Sequence, residues 1–273
     1  MSHGAAVPVF LPILKIRLAW RLARIAVHLI EGLATSALVF PFASHNLRAR
    51  LTRGWSRRLL RLCRVSVEHA GGVPALEHAL VVANHVSWLD IFVINALDPC
   101  RFVAKAEIRS WPVMGWLAAG AGTVFIARGN RRELRQVFKG LVEVLQQGQR
   151  VALFPEGTTG LQGQVLPFHA NLFEAAVDAG VQVQPYALSY IAAGGGFHPA
   201  IAYVGDTTFV DSLMAILQAP PVTARLACLA PLDSQGAHRR ELAAAAELSI
   251  RQAVQGAGAV LAHHQASGAA GQA

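Results

Sequence analysis

The sequence predicts an α/β fold with a largely parallel sheet flanked by helices, preceded by a helical hairpin at the N-terminus. Beyond residue 64, short apolar runs of strand length alternate with helical stretches, which is the pattern of parallel strands joined by crossover helices. The first 64 residues instead show helical periodicity. The chain has 273 residues, of which 53% are hydrophobic and 15% charged, so it can bury a substantial core.

Three parts are predicted along the chain. Residues 1–64 form a basic helical segment, residues 65–256 form the α/β domain, and residues 257–273, rich in Ala, Gly and Gln, form a disordered tail. Within the first part, helices are predicted from Phe10 to about Phe42 and from His45 to Arg64.

The charge of the first 64 residues is very uneven. They contain eleven Lys or Arg residues and one acid, Glu31, whereas the rest of the chain has 13 basic and 15 acidic residues. The mean hydropathy of +0.40 also points toward a membrane. The basic residues alternate with large apolar ones, and no zinc-finger, RNP or helix-turn-helix signature follows. Anionic membrane lipid is therefore favoured as the partner, and nucleic acid is not.

The sequence is compatible with two modes of membrane association, a single span and a hairpin in one leaflet. The 18 residues from Ile25 to Phe42 would span about 27 Å as a helix, close to the ~30 Å hydrocarbon core. The same stretch contains His28 and Glu31, and an acid near the bilayer centre costs about 3 kcal/mol. We therefore favour a hairpin lying in one leaflet over a single span. A basic stripe on the second arm would contact the lipid. The alternative, which involves no membrane, is a core helix whose basic face is solvated. That stripe consists of Arg50, Arg53, Arg57, Arg61 and Arg64.

The α/β domain is predicted element by element from the same patterns. Strands are expected at Val65–His69, Leu80–Ala83, Arg101–Ala104, Thr123–Ala127, Val151–Phe154, Val183–Tyr190, Ala200–Val204 and Ala224–Leu229. Helices are expected at 88–97, 110–119, 131–147, 169–179, 209–217 and 238–256. In such a sheet, functional side chains collect where strands end and loops begin.

The most informative segment is Asn84–Asp90, which follows the second strand. On one regular helix, residues five apart would point roughly 140° away from each other. His85 instead lies in the predicted strand-to-helix turn, so its ring can reach the Asp90 carboxylate, and such a pair forms a general base. Two other readings stay open for the pair alone: Asp90 as the acid of a capping box with Ser87, and a metal site, although no further ligands occur at usable spacing.

Three other segments follow predicted strands. Gly122–Arg128 ends in an Arg suited to bidentate phosphate binding, although a strand-end Arg is often only solvated. Phe154–Gly160 combines a stiff Pro with Gly157, beside Glu156 and Thr158, which can bond hydroxyls or phosphate oxygens; alone it could be a plain turn. Val183–Leu188 contains a Pro, which suggests an edge strand or a site wall.

Together, and in this order, the four segments resemble the sequence blocks of the glycerolipid acyltransferases, and among them the bacterial 1-acylglycerol-3-phosphate acyltransferase group. The blocks are His-x4-Asp at Asn84–Asp90, Gly-x-x-Phe-Ile-x-Arg at Gly122–Arg128, Phe-Pro-Glu-Gly-Thr at Phe154–Thr158, and the Pro-containing block at Val183–Leu188. The resemblance covers residues 65–205. It departs from the family pattern at three positions that could bear on the acceptor head group, namely Thr159, His169 and Tyr186.

The resemblance implies a glycerol-3-phosphate acyltransferase-like fold and transfer of a fatty acyl group from a thioester to the free hydroxyl of a lysolipid. His85 would be the general base and Asp90 would stabilise its imidazolium. Arg128, with Lys105 as a second contact, would hold the acceptor phosphate. Glu156, Gly157 and Thr158 would position the glycerol.

The same resemblance implies the partners and the location. The acyl donor would be a thioester of acyl carrier protein or coenzyme A, with no metal or organic cofactor. The enzyme would sit on the inner membrane with its site facing the cytoplasm. The cysteines Cys63, Cys100 and Cys228 lie outside the blocks and Gly-x-Ser-x-Gly is absent, so direct attack without an acyl-enzyme is expected.

Three alternatives remain at this stage. One is an O-acyltransferase for another lysolipid, such as lyso-ornithine lipid, which lacks the phosphate. A second is a thioester hydrolase in which His85 activates water. A third is a non-catalytic membrane-binding protein, against which the intact blocks argue.

Overall fold

A seven-stranded sheet forms the centre of the computed structural model, which describes residues 10–126 and 131–270. The strand order is β1-β7-β6-β2-β5-β3-β4, and every neighbouring pair is parallel except β6 and β7. The predicted largely parallel sheet is therefore confirmed. The strands are β1 Val65–Ala70, β2 Leu80–Ala83, β3 Arg101–Lys105, β4 Val124–Ile126, β5 Val151–Leu153, β6 Val183–Ala192 and β7 Val222–Cys228.

Helices cover both faces of the sheet. They are α1 Phe10–Leu38, α2 His45–Leu62, α3 Asp90–Leu97, α4 Met114–Gly120, α5 Arg131–Gln146, α6 Glu174–Ala179, α7 Phe209–Gln218 and α8 Arg239–Ala270. One apolar core contains residues of α1, α2, α3 and α7, and the other contains residues of α5, α6 and α8. Alternate residues of β2 enter opposite cores, Val81 one and Val82 the other. This explains why β2 is apolar throughout rather than alternating.

The N-terminal helices pack against each other as a hairpin. The His28 ring stacks on Trp55 with ring centroids 4.5 Å apart, and the Trp55 indole N–H donates to the His28 carbonyl at 3.1 Å. Glu31 accepts from Arg58 at 2.7 Å. The polar residues that argued against a simple span therefore hold α1 to α2. One helix, Lys15–Phe42, is long and apolar enough to cross a membrane, judged by length and composition only.

Several hairpin arginines have a structural use that the charge pattern does not reveal. The Arg53 and Arg57 side chains donate to carbonyls at the C-terminal end of α3, at 3.1 and 2.7 Å, where a cation offsets the helix dipole. Arg64 donates to the Ala219 carbonyl just past α7 at 3.0 Å, and Arg21 to the Leu217 carbonyl. The predicted basic stripe is therefore only partly available to lipid.

The prediction of a strand at Ala200–Val204 is wrong. Pro199 begins a 3-10 turn that runs to Ile201, because proline fixes the backbone and lacks the N–H that a strand ladder needs. Beyond that turn, the Tyr203 N–H donates to the Val86 carbonyl at 3.0 Å. This segment therefore becomes a loop beside His85 instead of an eighth strand.

Pro185 does not mark an edge strand, because β6 lies between β7 and β2. Its carbonyl accepts from the Leu229 N–H at 3.0 Å, just after β7 ends at Cys228. Pro185 therefore lies opposite a residue just past the end of β7. The N–H that proline lacks would point past the paired part of β7, so the β6–β7 ladder loses no hydrogen bond.

Several helices differ from their predicted bounds. The helix predicted at 169–179 begins only at Glu174, after a 3-10 turn at Ala170–Phe173, and α1 ends at Leu38, before a 3-10 turn at Phe40–Phe42. The predicted helix at 110–119 is divided into a 3-10 turn at Ala106–Ser110 and α4 from Met114, because Pro112 interrupts it. The backbone from residue 257 on continues α8 to Ala270 instead of forming a tail, in keeping with the high helix propensity of its alanines.

Candidate active site

The predicted site residues that the structure describes lie at the carboxyl edge of the sheet. His85 follows β2, and Glu156 follows β5, its neighbour in the sheet. Because parallel strands end at the same edge, the two loops after them lie side by side. The Gly160 N–H donates to the His85 carbonyl at 2.8 Å and joins these loops directly.

His85 and Asp90 form the expected pair. The His85 Nδ1 lies 2.7 Å from the Asp90 Oδ2, and the same oxygen accepts from the Val86 and Ser87 N–H groups at 2.7 and 2.9 Å. Asp90 is fully buried, whereas the His85 side chain is 19% exposed. The bond from Ser87 is half of the predicted capping box, so the carboxylate both begins α3 and orients the imidazole.

A tyrosine that the sequence analysis missed completes this arrangement. Tyr190 lies in β6, fully buried, and its hydroxyl donates to the Asp90 Oδ1 at 2.5 Å. Burial and the charge of Asp90 hold the pKa of Tyr190 well above its usual range, so the phenol stays a donor. Both oxygens of Asp90 are therefore fixed. No motif or spacing in the sequence links Tyr190 to Asp90.

The free nitrogen of His85 is Nε2. With the Nδ1 proton shared with Asp90, the neutral ring carries its lone pair on Nε2. Within residues 10–126 and 131–270, no protein group forms a hydrogen bond to Nε2. The ring stacks on Phe154, with centroids 3.9 Å apart and planes 8° apart, which holds its orientation. This arrangement can accept a proton from a hydroxyl brought to Nε2.

Glu156 lies beside His85 but faces the backbone. Its Oε1 accepts from the His85 N–H at 2.7 Å and its Oε2 from the Leu166 N–H at 2.9 Å, and the residue is only 4% exposed. Burial raises the pKa of Glu156, and these two hydrogen bonds oppose that shift. Because both oxygens are already engaged, the geometry fits a group that positions His85 better than one that contacts substrate.

Gly157 and Thr158 form the turn after Glu156. Gly157 has φ +67°, a conformation that glycine adopts without strain, and its N–H donates to the Phe154 carbonyl at 3.0 Å. Thr158 is exposed, and its N–H has no acceptor among the described residues. Of the predicted contacts in this segment, Thr158 is therefore the one open to a ligand.

The two predicted phosphate contacts lie further along the same edge. Lys105 is exposed at the end of β3, two strands from β2, which corresponds to a separation of about 10 Å between the strands. Arg128 lies outside the described residues. The strand that precedes it in the sequence, β4, ends at Ile126, next to β3.

The three residues that depart from the family pattern, Tyr186, Thr159 and His169, lie in different surroundings. Tyr186 is fully buried and its hydroxyl donates to Asp98 at 3.2 Å, so it does not face a head group at the carboxyl edge. The Thr159 hydroxyl donates to the Tyr203 carbonyl. The His169 N–H donates to the Pro155 carbonyl at 2.9 Å, which places His169 beside the Phe-Pro-Glu-Gly-Thr segment.

None of the three cysteines is an activated nucleophile. Cys63, Cys100 and Cys228 are all buried and unpaired by disulfides. Burial raises the pKa of Cys63 and Cys100 to about 12 and that of Cys228 to about 11, so thiolate is scarce at neutral pH. Within the described ranges, no group of three His, Cys, Asp or Glu side chains converges as a metal site.

Two apolar cavities lie between the hairpin and the domain. Their volumes are about 140 and 370 Å³, and Trp55, Phe92 and Met114 line both. Phe102 lines the smaller cavity and stacks on Phe154, with centroids 5.9 Å apart, and Phe154 in turn covers His85. Two stacked aromatic side chains, Phe102 and Phe154, therefore connect the wall of the smaller cavity to the imidazole.

Comparisons with known proteins identify the family of this chain. The family model described as "Acyltransferase" matches residues 64–189. A lyso-ornithine lipid O-acyltransferase of Pseudomonas aeruginosa is 39% identical over 251 residues, 90% of this chain and 96% of that protein. A 1-acyl-sn-glycerol-3-phosphate acyltransferase of Neisseria gonorrhoeae is 51% identical over 122 residues, 44% of this chain and 48% of that protein.

A solved structure supports the fold. The crystal structure of the 1-acyl-sn-glycerophosphate (LPA) acyltransferase PlsC of Thermotoga maritima matches with a TM-score of 0.65 at 22% identity, over 88% of this chain and 94% of that one. At this identity the match supports the PlsC-like α/β fold.

Proposed function

This chain belongs to the acyltransferase family, and we propose that it transfers a fatty acyl group from a thioester to the sn-2 hydroxyl of 1-acylglycerol-3-phosphate, giving phosphatidic acid. One observation carries the proposal: the His85 Nδ1 is held 2.7 Å from a buried Asp90, while Nε2 has no partner among the described residues. An alcohol is a weak nucleophile at neutral pH, and a base so held is what its attack on a thioester requires.

The proposed reaction is a direct transfer. His85 takes the hydroxyl proton through Nε2 as the hydroxyl oxygen bonds to the thioester carbonyl carbon. The carbon–sulfur bond then breaks, and the imidazolium returns its proton to the leaving thiolate. Asp90, fixed by Tyr190, stabilises the imidazolium, as an orienting carboxylate does in other His-based sites. General-base catalysis of this kind is worth about 10²–10⁴ in rate.

The oxyanion that forms during attack needs a donor. The N–H groups of His85, Val86, Ser87 and Gly157 already donate within the protein. The Thr158 N–H is not engaged by any described residue, and we assign it to the oxyanion. One such donor contributes about 10²-fold or more.

The acceptor phosphate is assigned to Lys105 and Arg128. Lys105 supports this assignment because it ends β3 at the same edge as His85, exposed to a ligand. Arg128 follows β4 in the sequence, and an arginine there can bind phosphate with two hydrogen bonds. The fatty chains are assigned to the apolar cavities beneath the hairpin. The donor is proposed to be an acyl carrier protein or coenzyme A thioester.

We also propose that the hairpin seats the enzyme in one leaflet of the inner membrane, with the site facing the cytoplasm. Large apolar side chains stand exposed on it: Trp20 is 65% exposed and Phe42 is 89% exposed. Trp116 of α4, 70% exposed, adds an apolar side chain from the domain. Arg50 and Arg61 have no protein partner among the described residues and remain available to anionic lipid.

Lyso-ornithine lipid is the second candidate acceptor. The relative with that activity in its name is similar along nearly its whole length, whereas the similarity to the 1-acylglycerol-3-phosphate enzyme is higher but covers about half of it. Lyso-ornithine lipid carries a carboxylate and an ammonium instead of a phosphate. The exposed position of Lys105, together with the presence of Arg128 in the sequence, favours the more highly charged phosphate.

The acceptor assay decides between these candidates. Purified protein is given one acyl thioester and either 1-acylglycerol-3-phosphate or lyso-ornithine lipid, and kcat/KM is measured for each. We expect the phosphate acceptor to be preferred by at least tenfold, and Lys105→Gln to reduce kcat/KM for that acceptor more than for the other. A preference for lyso-ornithine lipid would contradict the proposed acceptor and leave acyl transfer standing.

A further inference from the structure

A second basic site lies at the amino edge of the sheet, opposite His85. Arg101 begins β3 and Arg150 immediately precedes β5, while His45 and Arg48 reach the same place from the start of α2. These four residues line one open pocket of about 60 Å³, which we call the amino-edge pocket. It has room for several waters or one tetrahedral anion, but not for an acyl chain.

Two of the three arginine charges in the amino-edge pocket, those of Arg48 and Arg101, are not balanced by any acidic group that the structure describes. Arg150 is neutralised by Asp98, at 3.1 Å. In the ranges that the structure describes, neither Arg48 nor Arg101 takes part in a salt bridge, and the only side-chain hydrogen bond from either is that of Arg48 to the Ala43 carbonyl at 3.2 Å. Partial burial, and then the charge of Arg48, lower the pKa of Arg101. Two like charges thus share a half-buried pocket without a counter-ion.

The N-terminal end of α2 adds to the positive potential of the pocket. His45 is the first residue of α2 and lines the pocket, so the positive N-terminal end of this 18-residue helix lies beside it. Ser44 caps only the Leu47 N–H, at 3.4 Å, which leaves earlier N–H groups of the helix free to bind an anion. Two arginines, a histidine and a helix N-terminus are together suited to a phosphate group.

The surroundings of the pocket indicate where that phosphate comes from. Phe40 lines the pocket. Two residues further on, Phe42 is 89% exposed, more than any other large apolar side chain that the structure describes in the hairpin. Leu38, on the other side of the same turn, is 71% exposed. If this turn enters the hydrocarbon, Arg48 lies one helical turn beyond the boundary, about 5 Å along α2, at the depth of lipid phosphates.

We propose that His45, Arg48 and Arg101 form a phosphate-binding site that takes the head group of an anionic phospholipid and fixes the hairpin turn at the membrane surface. The site is separate from the catalytic edge. Its ligand rests on the membrane seating proposed above, whereas the anion site itself does not.

The first arm of the test uses inorganic phosphate and thermal unfolding of the full-length protein. Phosphate at roughly five times its dissociation constant should raise Tm by about 2–4 °C relative to sodium chloride of equal ionic strength. Arg48→Gln/Arg101→Gln should lose this increase, and Arg50→Gln/Arg61→Gln, an equal charge change at two arginines of α2 that do not line the pocket, should keep it. No increase for the natural chain would overturn the site.

The same thermal unfolding measurements distinguish phosphate binding by Arg101 from a structural role of this residue. Without phosphate, Arg101→Gln should unfold at the same temperature as the natural chain or higher, because a like-charge contact is relieved. A lower Tm would mean that Arg101 supports the fold, and would overturn the proposal. Circular dichroism confirms that each variant is folded.

The second arm uses vesicles of phosphatidylcholine with or without phosphatidylglycerol. For the anionic vesicles, Arg48→Gln/Arg101→Gln should weaken binding at least about 100-fold, as expected for lost charge-assisted hydrogen bonds, and the equal-charge control Arg50→Gln/Arg61→Gln about 30-fold or less. Equal effects of the pocket variant and the control would overturn the lipid assignment. So would a natural chain that binds free phosphate but not vesicles. No acyl transfer is measured, so the outcome is independent of the catalytic proposal.

Discussion

The catalytic edge and the N-terminal hairpin both concentrate charged residues, but they use them in opposite ways. At the edge, the carboxylates of Asp90 and Glu156 are buried and every one of their oxygens accepts a hydrogen bond. In the hairpin, some arginines reach carbonyls at helix ends, as Arg53 does, and Arg58 pairs with the half-exposed Glu31. Others, such as Arg50, have no protein partner among the described residues. Substitutions at the edge should therefore remove chemistry, and substitutions in the hairpin should change stability or membrane binding.

The largest effect is expected at His85. His85→Ala removes the proposed base, so kcat should fall by about 10²–10⁴-fold in a purified acyl-transfer assay. Membrane association should be unchanged, because His85 lies outside the hairpin. Arg50→Ala serves as the hairpin control and should keep its kcat while binding anionic vesicles less well. Retained turnover in His85→Ala would remove His85 from the mechanism.

Tyr190→Phe should have the next largest effect. It deletes the hydroxyl that donates to Asp90. Because the acceptor is charged, we expect the loss of this hydrogen bond to lower kcat by about 10- to 100-fold. KM should change little, because Tyr190 is buried away from substrate.

Tyr186→Phe provides a matched control for Tyr190→Phe. Both tyrosines are fully buried in β6 and donate to an aspartate, but the partner of Tyr186 is Asp98. Tyr186→Phe should lower stability and leave kcat unchanged. Equal losses of kcat in both variants would mean that Tyr190 supports only the fold.

The hairpin arginines allow a smaller test of the same comparison. Arg53→Ala deletes a bond to the Leu97 carbonyl at the end of α3 and should cost about 1 kcal/mol of unfolding free energy, measured by urea denaturation. Arg50→Ala, three residues earlier on α2, should cost less than about 0.5 kcal/mol. If both cost the same, the proposed division between structural and lipid-facing arginines fails.

The smallest effect concerns Glu156 and pH. Burial raises the pKa of Glu156 above its ordinary value of 4.5, so the folded chain holds this proton more tightly than the unfolded chain. The resulting stability is present below pH 4.5 and is lost as pH rises through the folded pKa. Glu156→Gln does not titrate, so Tm of the natural chain minus that of the variant should be larger at pH 4 than at pH 7. The opposite trend would show that the hydrogen bonds from His85 and Leu166 outweigh burial.

The sequence predicts the parts of this molecule that depend on local spacing. β2 and the turn after it place His85 within reach of Asp90, and the parallel sheet brings Glu156 to the same edge. Tyr190 could not be found in this way. Its hydroxyl reaches Asp90 only because β6 pairs with β2, across 100 positions of sequence, and no spacing encodes that contact.

Charge counts predict less than motifs do. The surplus of arginines in residues 1–64 indicated a lipid surface, but Arg53 and Arg64 bind carbonyls whose positions depend on where α3 and α7 end in space. The amino-edge pocket was missed for the same reason, because Arg48 of α2 and Arg101 of β3 line one pocket only in the folded chain.

The central claim is that His85 activates a lysolipid hydroxyl toward a thioester, and thiol release tests it most directly. Purified protein is incubated with an acyl thioester, with and without 1-acylglycerol-3-phosphate, and free thiol is followed over time. We predict thiol release that requires the acceptor, matches the ester formed one for one, and is lost in His85→Ala. Equal thiol release without acceptor would indicate a hydrolase and would contradict the account.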